Sequence, residues 1–435
     1  MCQKFERRYK NGFKCIIALT VLAIVLTPVL AVAQTKTKLT IVIPTGPRYG
    51  FAAKGMAKEF MDKNPTVNIE VETYPYMEYY TKIALDLAAA GRTYDLAWVD
   101  YAILGGYVES NYLMPLESYI QNSPDFWATV KGDIPKRVLD VYRWGGTLYC
   151  IPGDSNAQIY YYRKDVLDSK GLSLPDTWDK ILEVAPKLHN PPDMYALAIA
   201  LLRPFAHSAW LPLLWSKGGE LWDENFVPQF NSPEAIWALN LLKELYQYMP
   251  SETLTWAESD SYEAMGSAGL FALAPCTWAG AVLTNPEYSR LANKIGSTIA
   301  PALSDGSRVP AMGGFGWGIN SRVPSKRKKA AWDFIMFYLA KDNQQMLVSY
   351  TGQPARLSAL TDPVNVKLQP YFPALAESLS FAHPLPSIPE YLELRDHHGL
   401  LIGKALMGEL TVEEVANQSN ERVYTILKEA GRIKE

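Results

Sequence analysis

Three short segments rich in β-branched residues alternate with helical patterns over the first hundred residues, and this alternation constrains the fold more than any other feature. The segments are KLTIVIP (38–44), VNIEVETYP (67–75) and YDLAWVD (94–100). Between them, apolar residues recur at helix spacing. Strand and helix alternating in this way predict βαβ units and a parallel sheet. In such sheets, ligands bind beyond the carboxyl ends of the strands.

Helix starts later in the chain are marked by capping residues. Ser232 and Pro233 precede the apolar stretch AIWALNLLKELYQYM, as an N-cap followed by proline at the first helical position. Thr411 and Glu414 have the spacing of a capping box. The pattern of Lys326–Tyr350 predicts one long helix.

The N-terminus has the pattern of a secretory signal peptide, residues 1–33. Five basic residues precede or begin the apolar stretch 15–33, which closes on an A-x-A sequence. An uncleaved membrane anchor is disfavoured, because Pro28 interrupts a run that is already short for a membrane span. We therefore expect cleavage between Ala33 and Gln34 and export to the periplasm.

The charge balance argues against a nucleic-acid partner. Loss of residues 1–33 removes five basic residues and one acidic residue, which leaves 37 Lys and Arg against 44 Asp and Glu, a net charge of -7. A general nucleic-acid binder needs a positive surface. We therefore interpret the basic run 325–329 as the solvated face of a helix.

Two cysteines, Cys150 and Cys276, remain after the leader. A disulfide is chemically possible in an exported protein. The spacing of two distant cysteines leaves open whether they are bridged, and we expect two separate buried thiols.

The sequence carries no catalytic, phosphate-binding or metal-binding signature. The glycines of 313–318 miss the dinucleotide-loop spacing, and Gly399–Lys404 is one residue short of a P-loop. GxSxG, HExxH and CxxC motifs do not occur. His397 and His398 are adjacent, so they do not share a helix face, and a surface pair is predicted rather than a metal site. We expect no catalytic residue, no metal and no cofactor. A secreted glycosidase stays open, because two carboxylates distant in sequence could converge in space.

Aromatic residues are frequent at the predicted strand ends and loops. The chain contains 12 Trp and 26 Tyr. Each ring alone is well explained as core. Together, flat rings with Asp, Asn and Arg between them suit sugars, which offer apolar C–H faces and directional hydroxyls. The set consists of Tyr74, Tyr76, Trp98, Tyr101, Phe205, Trp210, Trp278, Phe315 and Trp317.

Five stretches, in order along the chain, carry a resemblance to a known family. They are YDLAWVDYAILGGYVESNYLMPLESYI, GGTLYCIPGDSNAQIYYYRKDVL, LLWSKGGELWDENFVPQFNSPEAIWAL, MGGFGWGINSRVPSKRKKAAWDFIMFYL and FAHPLPSIPEYLEL with GELTVEEV. The chain resembles the family 1 extracellular solute-binding proteins, the maltose-binding-protein-like, sugar-binding subunits of ABC importers.

The resemblance implies an α/β periplasmic-binding-protein fold of the type II-like kind, with two lobes, a hinge and a ligand cleft between the lobes. The glycines of 313–318 would belong to a crossover strand, where they allow changes in φ and ψ. The implied bounds are 34–153 with 317–356 for the first lobe, 157–312 with 361–435 for the second, and 153–157, 312–317 and 356–361 for the crossover segments.

The resemblance also implies a function. The chain would be the exported substrate-binding protein of an ABC importer, capturing an oligosaccharide or polyol by lobe closure and delivering it to the permease subunits as a monomer. A non-sugar solute, such as a glycerol phosphate or a polyamine, stays open; a phosphate would use Arg203 or Arg356. The expected ligand contacts are Tyr49, Tyr74, Tyr76, Trp98, Asp100, Asp154, Asn156, Phe205, His207, Trp210, Trp278, Gly314, Phe315, Trp317 and Arg356.

Overall fold

The computed structural model describes residues 36–89 and 91–434, so the predicted signal peptide lies outside the described residues. Within these ranges, no helix has both the length and the hydrophobicity that a membrane crossing requires. The strands are β1 (Thr37–Pro44), β2 (Val67–Tyr74), β3 (Leu96–Asp100), β4 (Arg143–Trp144), β5 (Thr147–Leu148), β6 (Cys150–Pro152), β7 (Asn156–Arg163), β8 (Tyr195–Leu197), β9 (Phe271–Trp278), β10 (Ile295–Ile299), β11 (Ala311–Gly313), β12 (Phe315–Ile319) and β13 (His383–Pro384).

The helices flank these strands and are mostly short. They are α1 (Ala52–Lys63), α2 (Tyr76–Ala88), α3 (Leu104–Glu109), α4 (Glu117–Gln121), α5 (Pro124–Lys131), α6 (Lys136–Asp140), α7 (Lys164–Ser169), α8 (Trp178–Leu188), α9 (Arg203–Ser216), α10 (Pro233–Tyr246), α11 (Glu258–Glu263), α12 (Ser325–Leu339), α13 (Lys341–Ser349), α14 (Leu357–Leu360), α15 (Pro363–Leu368), α16 (Phe372–Ser378), α17 (Tyr391–Leu406) and α18 (Val412–Glu429). Single 3-10 or π turns occur at Pro47–Phe51, Tyr101–Ile103, Ser251–Thr255, Ala264–Ala268, Ala281–Leu283 and Ala292–Lys294.

The first lobe is built on a sheet with the strand order β2-β1-β3-β12-β6. β1 pairs in parallel with β2 and β3, as the βαβ pattern predicts, while β12 runs antiparallel to β3 and β6. Residues 39–44 of β1 are buried on both faces. Such burial explains why the segment is a continuous apolar run instead of an alternating one.

The second lobe is built on a sheet with the order β13-β11-β7-β9-β8, in which β10 also pairs with β7. Helices α9, α17, α10 and α18 pack beside it and share a separate cluster of buried apolar side chains. The predicted caps are present here. The Ser232 hydroxyl accepts from the Ala235 amide at 3.2 Å, and Thr411 and Glu414 form the reciprocal capping box.

Two chain crossings that connect the sheets pass close together. Residues 153–155 separate β6 from β7, and Gly314 alone separates β11 from β12. Gly314 has a φ of +136°, a conformation that side-chain-bearing residues rarely adopt. Both crossings therefore bring main chain to the boundary between the lobes. The lobe bounds given above stay a prediction.

The segment predicted as one long helix is in fact two, α12 and α13, and this prediction was wrong. The chain breaks at Ala340, where ψ is 140°. Side chains at the start of α13 bind carbonyls in the last turn of α12: Asn343 donates to Phe337 at 2.7 Å, and Gln344 to Tyr338 at 3.0 Å. The apolar period continues through the break, so periodicity could not show it.

Candidate functional site

Three aromatic side chains meet at the carboxyl edge of the first sheet. Tyr49 lies in the turn after β1, Tyr76 begins the helix after β2, and Phe315 begins β12. The ring of Phe315 packs edge-to-face with Tyr49 at 5.3 Å and with Tyr76 at 6.3 Å between centroids. Because parallel strands end at a common edge, the structure brings these three predicted residues together.

Asp100, the last residue of β3, lies buried at the same edge. Its carboxylate accepts from the Tyr80 hydroxyl at 2.7 Å and from the Ala102 amide at 3.0 Å. Burial raises the pKa of Asp100, and these two donors, together with the positive charge of Arg395 from α17, oppose that rise. The carboxyl group is thus already hydrogen-bonded within the protein.

Asp154, in the first crossing, is the most unusual polar group of this region. One carboxylate oxygen, Oδ1, accepts from the Phe315 amide at 2.6 Å. The other, Oδ2, has no hydrogen-bond partner among the described residues, although the side chain is only 1% exposed. Burial raises the pKa of Asp154 to about 6, against the lowering effects of Arg48 and the Phe315 amide. A buried acceptor without a donor is a candidate ligand contact.

Arg48 connects this acceptor to the second lobe. Its Nε lies 3.7 Å from Asp154 Oδ2, and its Nη1 donates to the Ala279 carbonyl oxygen at 2.5 Å. The guanidinium lies over the Tyr49 ring, 4.4 Å from its centroid, and also contacts the Tyr49 hydroxyl. A single side chain from the end of β1 thus reaches the crossing and the opposite lobe.

The second lobe contributes Glu258, Trp278 and Phe205, which line one small cavity. Glu258 accepts from the Trp278 amide at 2.9 Å, and Tyr262 donates to the Trp278 carbonyl at 2.6 Å. The Glu258 side chain is partly buried, and this burial raises its pKa to about 7, against the lowering effects of the Trp278 amide and Arg48. The structure places Trp278 and Phe205 together on this side.

Trp98 and Trp317 are packed in the core of the first lobe behind Phe315, and their role as ligand contacts stays a prediction. The two rings are paired across β3 and β12 with centroids 4.3 Å apart, and both are fully buried. Helix α12 covers them through Phe334 and Tyr338. They therefore support Phe315, on whose ring Trp98 stacks at 6.2 Å.

His207 and Trp210 are core residues of the second lobe, so their predicted role as ligand contacts is corrected. The Nδ1 atoms of His207 and His398 lie 2.8 Å apart, and both imidazoles are fully buried. Trp210 stacks on Phe230 at 5.6 Å. The prediction that His398 belongs to a surface pair was wrong for the same reason. Helix α9 is apolar and buried on nearly all sides, so its pattern does not indicate a cleft-facing side.

Arg356 stabilises the fold and does not face the cleft. Its side chain is 2% exposed and donates to the carbonyls of Leu339 at 2.6 Å and Thr129 at 2.7 Å. It also contacts Asp133 at 3.4 Å. These contacts fix the end of α12 and correct the prediction of a ligand-binding arginine here.

The remaining predicted residues have local roles. Tyr74 donates to Glu72 at 2.7 Å, and no aromatic contact joins it to the Tyr49 cluster among the described residues. Asn156 is buried and accepts from the Ala157 amide at 2.9 Å. Gly314 lies beside Asp154 in the second crossing.

Some residues of this region were missed from the sequence. Arg48 could have been found, because it directly precedes a predicted contact at the end of β1. Glu258 lies in the segment ESDSYE, whose composition is that of an exposed helix, so no local signal marked it. Tyr80 and Arg395 are placed by long-range packing.

Both cysteines, Cys150 and Cys276, are free and buried. The expectation of two separate thiols is therefore confirmed. Cys276 lies at a bulge between β7 and β9 with a φ of +53°, just before Trp278. Bulges of this kind re-aim the side chains that follow them.

Comparison with known proteins identifies the relatives of this chain. Residues 45–345 match the family described as bacterial extracellular solute-binding protein. The chain is 26% identical over 403 residues to a probable amino-acid ABC transporter periplasmic-binding protein of Sinorhizobium fredii, covering 88% of this chain and 89% of that protein. It is 22% identical over 401 residues to a mannitol-binding protein of Pseudomonas aeruginosa, covering 86% and 90%.

A solved structure gives the same fold. The chain superposes on an ABC transporter solute-binding protein of Agrobacterium radiobacter in complex with ribitol with a TM-score of 0.82. The match has 24% sequence identity and covers 90% of this chain and 98% of the other. The two-lobe periplasmic-binding fold expected from the sequence is confirmed.

Proposed function

This chain belongs to the family of bacterial extracellular solute-binding proteins, and from that premise we propose that its solute is a neutral polyol or carbohydrate, held between the two lobes. Closure of the lobes around the solute would present the complex to the permease subunits of an ABC importer. We further propose that the chain is exported to the periplasm as a monomer, with cleavage between Ala33 and Gln34. It makes and breaks no covalent bond in this role.

The observation that carries the proposal is the unpartnered Oδ2 atom of Asp154. A buried acceptor without a donor costs free energy, which a solute hydroxyl can recover by donating to it. Arg48 Nε lies 3.7 Å from this oxygen, beyond hydrogen-bond distance, and can donate to the solute. Neighbouring hydroxyl groups of a solute can donate to Asp154 and accept from Arg48. The rings of Tyr49, Tyr76 and Phe315 offer apolar faces to the carbon skeleton of the solute.

The names of relatives give independent support for this solute class. The Pseudomonas relative is a mannitol-binding protein, and the Agrobacterium structure contains ribitol. Phosphate is less favoured, because Arg203 is exposed at the start of α9 and Arg356 is bound to carbonyl groups. An amino acid, the class in the name of the Sinorhizobium relative, would pair its carboxylate with Arg48 and is included in the test.

A thermal-shift screen of residues 34–435 tests the proposal. The panel comprises polyols, mono- and oligosaccharides, amino acids, glycerol phosphates and polyamines, each at high concentration. A solute that binds only the folded protein at 100 times its Kd stabilises it by about 2.7 kcal/mol, and the melting temperature rises accordingly. We expect shifts with polyols or sugars. A shift confined to amino acids, phosphates or amines would overturn the solute class, and turnover of a glycoside would overturn the binding role.

Removal of the Asp154 carboxylate is expected to weaken solute binding. In the Asp154→Ala protein, the affinity should fall by about 10- to 100-fold, the value of one charge-assisted hydrogen bond. Titration calorimetry with the best solute of the screen measures the change. The exposed Asp193 provides a matched control, because Asp193→Ala should leave the affinity unchanged. Equal affinities for both variants would exclude Asp154 from the site.

A further inference from the structure

Arg48 makes contacts within the protein that resemble those expected of a bound solute. From the first lobe, its Nη1 donates to the Ala279 carbonyl oxygen at 2.5 Å, and its Nε faces Asp154 Oδ2 at 3.7 Å. The side chain is 14% exposed. These contacts connect the turn after β1 to the second lobe and to the crossing.

The acceptor on the second lobe is rigidly held. The main chain of residues 278–280 is held at both ends. At Trp278, Glu258 accepts from the amide and Tyr262 donates to the carbonyl. At Gly280, the Tyr161 hydroxyl accepts from the amide and donates to the carbonyl, each at 3.0 Å. The Ala279 amide donates to the Ala157 carbonyl of β7 at 3.1 Å. The carbonyl of Ala279 is therefore presented in a fixed direction toward Arg48.

We propose that Arg48 is a latch that draws the two lobes together before solute binds, and that a solute enters by replacing its contact with Ala279. This inference rests on the proposed function and adds the residue that determines specificity. A compound with neighbouring hydroxyl groups can accept from the guanidinium and donate to the Ala279 carbonyl and to Asp154. A fully ionised phosphate group accepts from the guanidinium but has no proton to donate to the two oxygens. An ammonium group donates to the oxygens but cannot accept from Arg48, so neither group by itself replaces the whole set of contacts.

Small-angle scattering of solute-free protein tests the latch without any knowledge of the solute. The wild-type protein should have a smaller radius of gyration than Arg48→Gln, whose side chain cannot provide the charge-assisted bond. Arg290→Gln, at an exposed arginine of the second lobe, is the matched control and should scatter like the wild type. Arg48→Lys keeps the charge and provides a second variant. Circular dichroism establishes that each protein is folded. Equal radii for all four proteins would overturn the latch.

Specificity is tested by titration with the best hydroxylated solute and its deoxy analogue. Wild-type protein should prefer the solute with both hydroxyls, and Arg48→Gln should lose about tenfold or more of that preference, the factor that one charge-assisted hydrogen bond represents. An unchanged preference would remove Arg48 from solute recognition while the proposed function stands. If no hydroxylated solute binds the wild-type protein, the proposed function fails, and the scattering result still decides the latch.

Discussion

Gly153→Ala is expected to lower the free energy of unfolding by about 3 kcal/mol, the upper end of the usual cost of overpacking. A Cβ atom at this position would lie 2.1 Å from Cζ3 and 2.3 Å from Cη2 of Trp98, and 3.2 Å from Cδ1 of Trp317. Both rings are fully buried and packed on each other, so neither can move aside cheaply. Denaturant unfolding of the two proteins measures the difference.

Gly403→Ala is the matched control for this substitution. Gly403 lies in α17, and among the described residues no heavy atom outside its chain neighbours and the backbone of its own helix lies within 4 Å of the position that its Cβ would take. Alanine is a better helix former than glycine, so this variant should be more stable by up to about 1 kcal/mol. If both substitutions changed stability equally, Gly153 would not be packed closely against Trp98.

The buried pair His207 and His398 is expected to make the protein sensitive to acid. The imidazoles share one hydrogen bond, Nδ1 to Nδ1 at 2.8 Å, so one ring donates and the other accepts. Tyr391, Phe230 and Trp210 surround the pair. Burial lowers the pKa of both groups, that of His398 to about 3, and the charge of Arg395 lowers the pKa of His207 further.

The sign follows from proton linkage. Above pH 6.5 both imidazoles are neutral in the folded and the unfolded chain, and their contribution to stability is fully present. As the pH falls below 6.5, the unfolded chain binds protons that the folded chain does not, so this contribution is lost toward pH 3. At pH 4.5 the loss from His398 alone is about 3 kcal/mol, at 1.36 kcal/mol for each pKa unit, and protonation of His207 in the unfolded chain adds to it.

Two carboxyl groups change the pH dependence of stability in the opposite direction, so their effect must be separated from that of the histidine pair. Glu258 and Asp154 have raised pKa values, so they bind protons more readily in the folded chain and add stability as the pH falls toward 4. The double variant His207→Leu, His398→Leu keeps both carboxyl groups and removes only the imidazoles. The wild type should therefore lose more stability than the double variant between pH 7.5 and 4.5. Parallel stability curves would show that the pair does not titrate as described.

The sequence sufficed for the three parallel strands of the first sheet, β1, β2 and β3, and for the edge where they end. Strand and helix periods are local, and the rule that parallel strands end at one edge then brings Tyr49, Tyr76 and Asp100 together without further information. Nothing local distinguishes Phe315 from Trp317, two residues further along the same strand. Their packing differs because α12 covers Trp317, while Phe315 lies at the strand end.

The residues that sequence analysis misplaced depend on contacts between distant parts of the chain. His207 and His398 are 191 residues apart, and the helix that carries His207 is apolar on nearly every side. Arg356 binds the end of α12, a helix end that the apolar period conceals. Glu258 is held by the Trp278 amide, 20 residues further along the chain. Periodicity and local composition carry no information about contacts between residues that are distant in the sequence.

The most direct measurement is a crystal structure of residues 34–435 with the solute that gives the largest thermal shift. We expect the solute between the lobes, with one of its hydroxyl groups at hydrogen-bond distance, about 2.5–3.0 Å, from Asp154 Oδ2. We also expect a second hydroxyl group on the guanidinium of Arg48, which would no longer donate to the Ala279 carbonyl. A solute bound elsewhere, with Asp154 and Arg48 in the contacts described above, would contradict the proposed site.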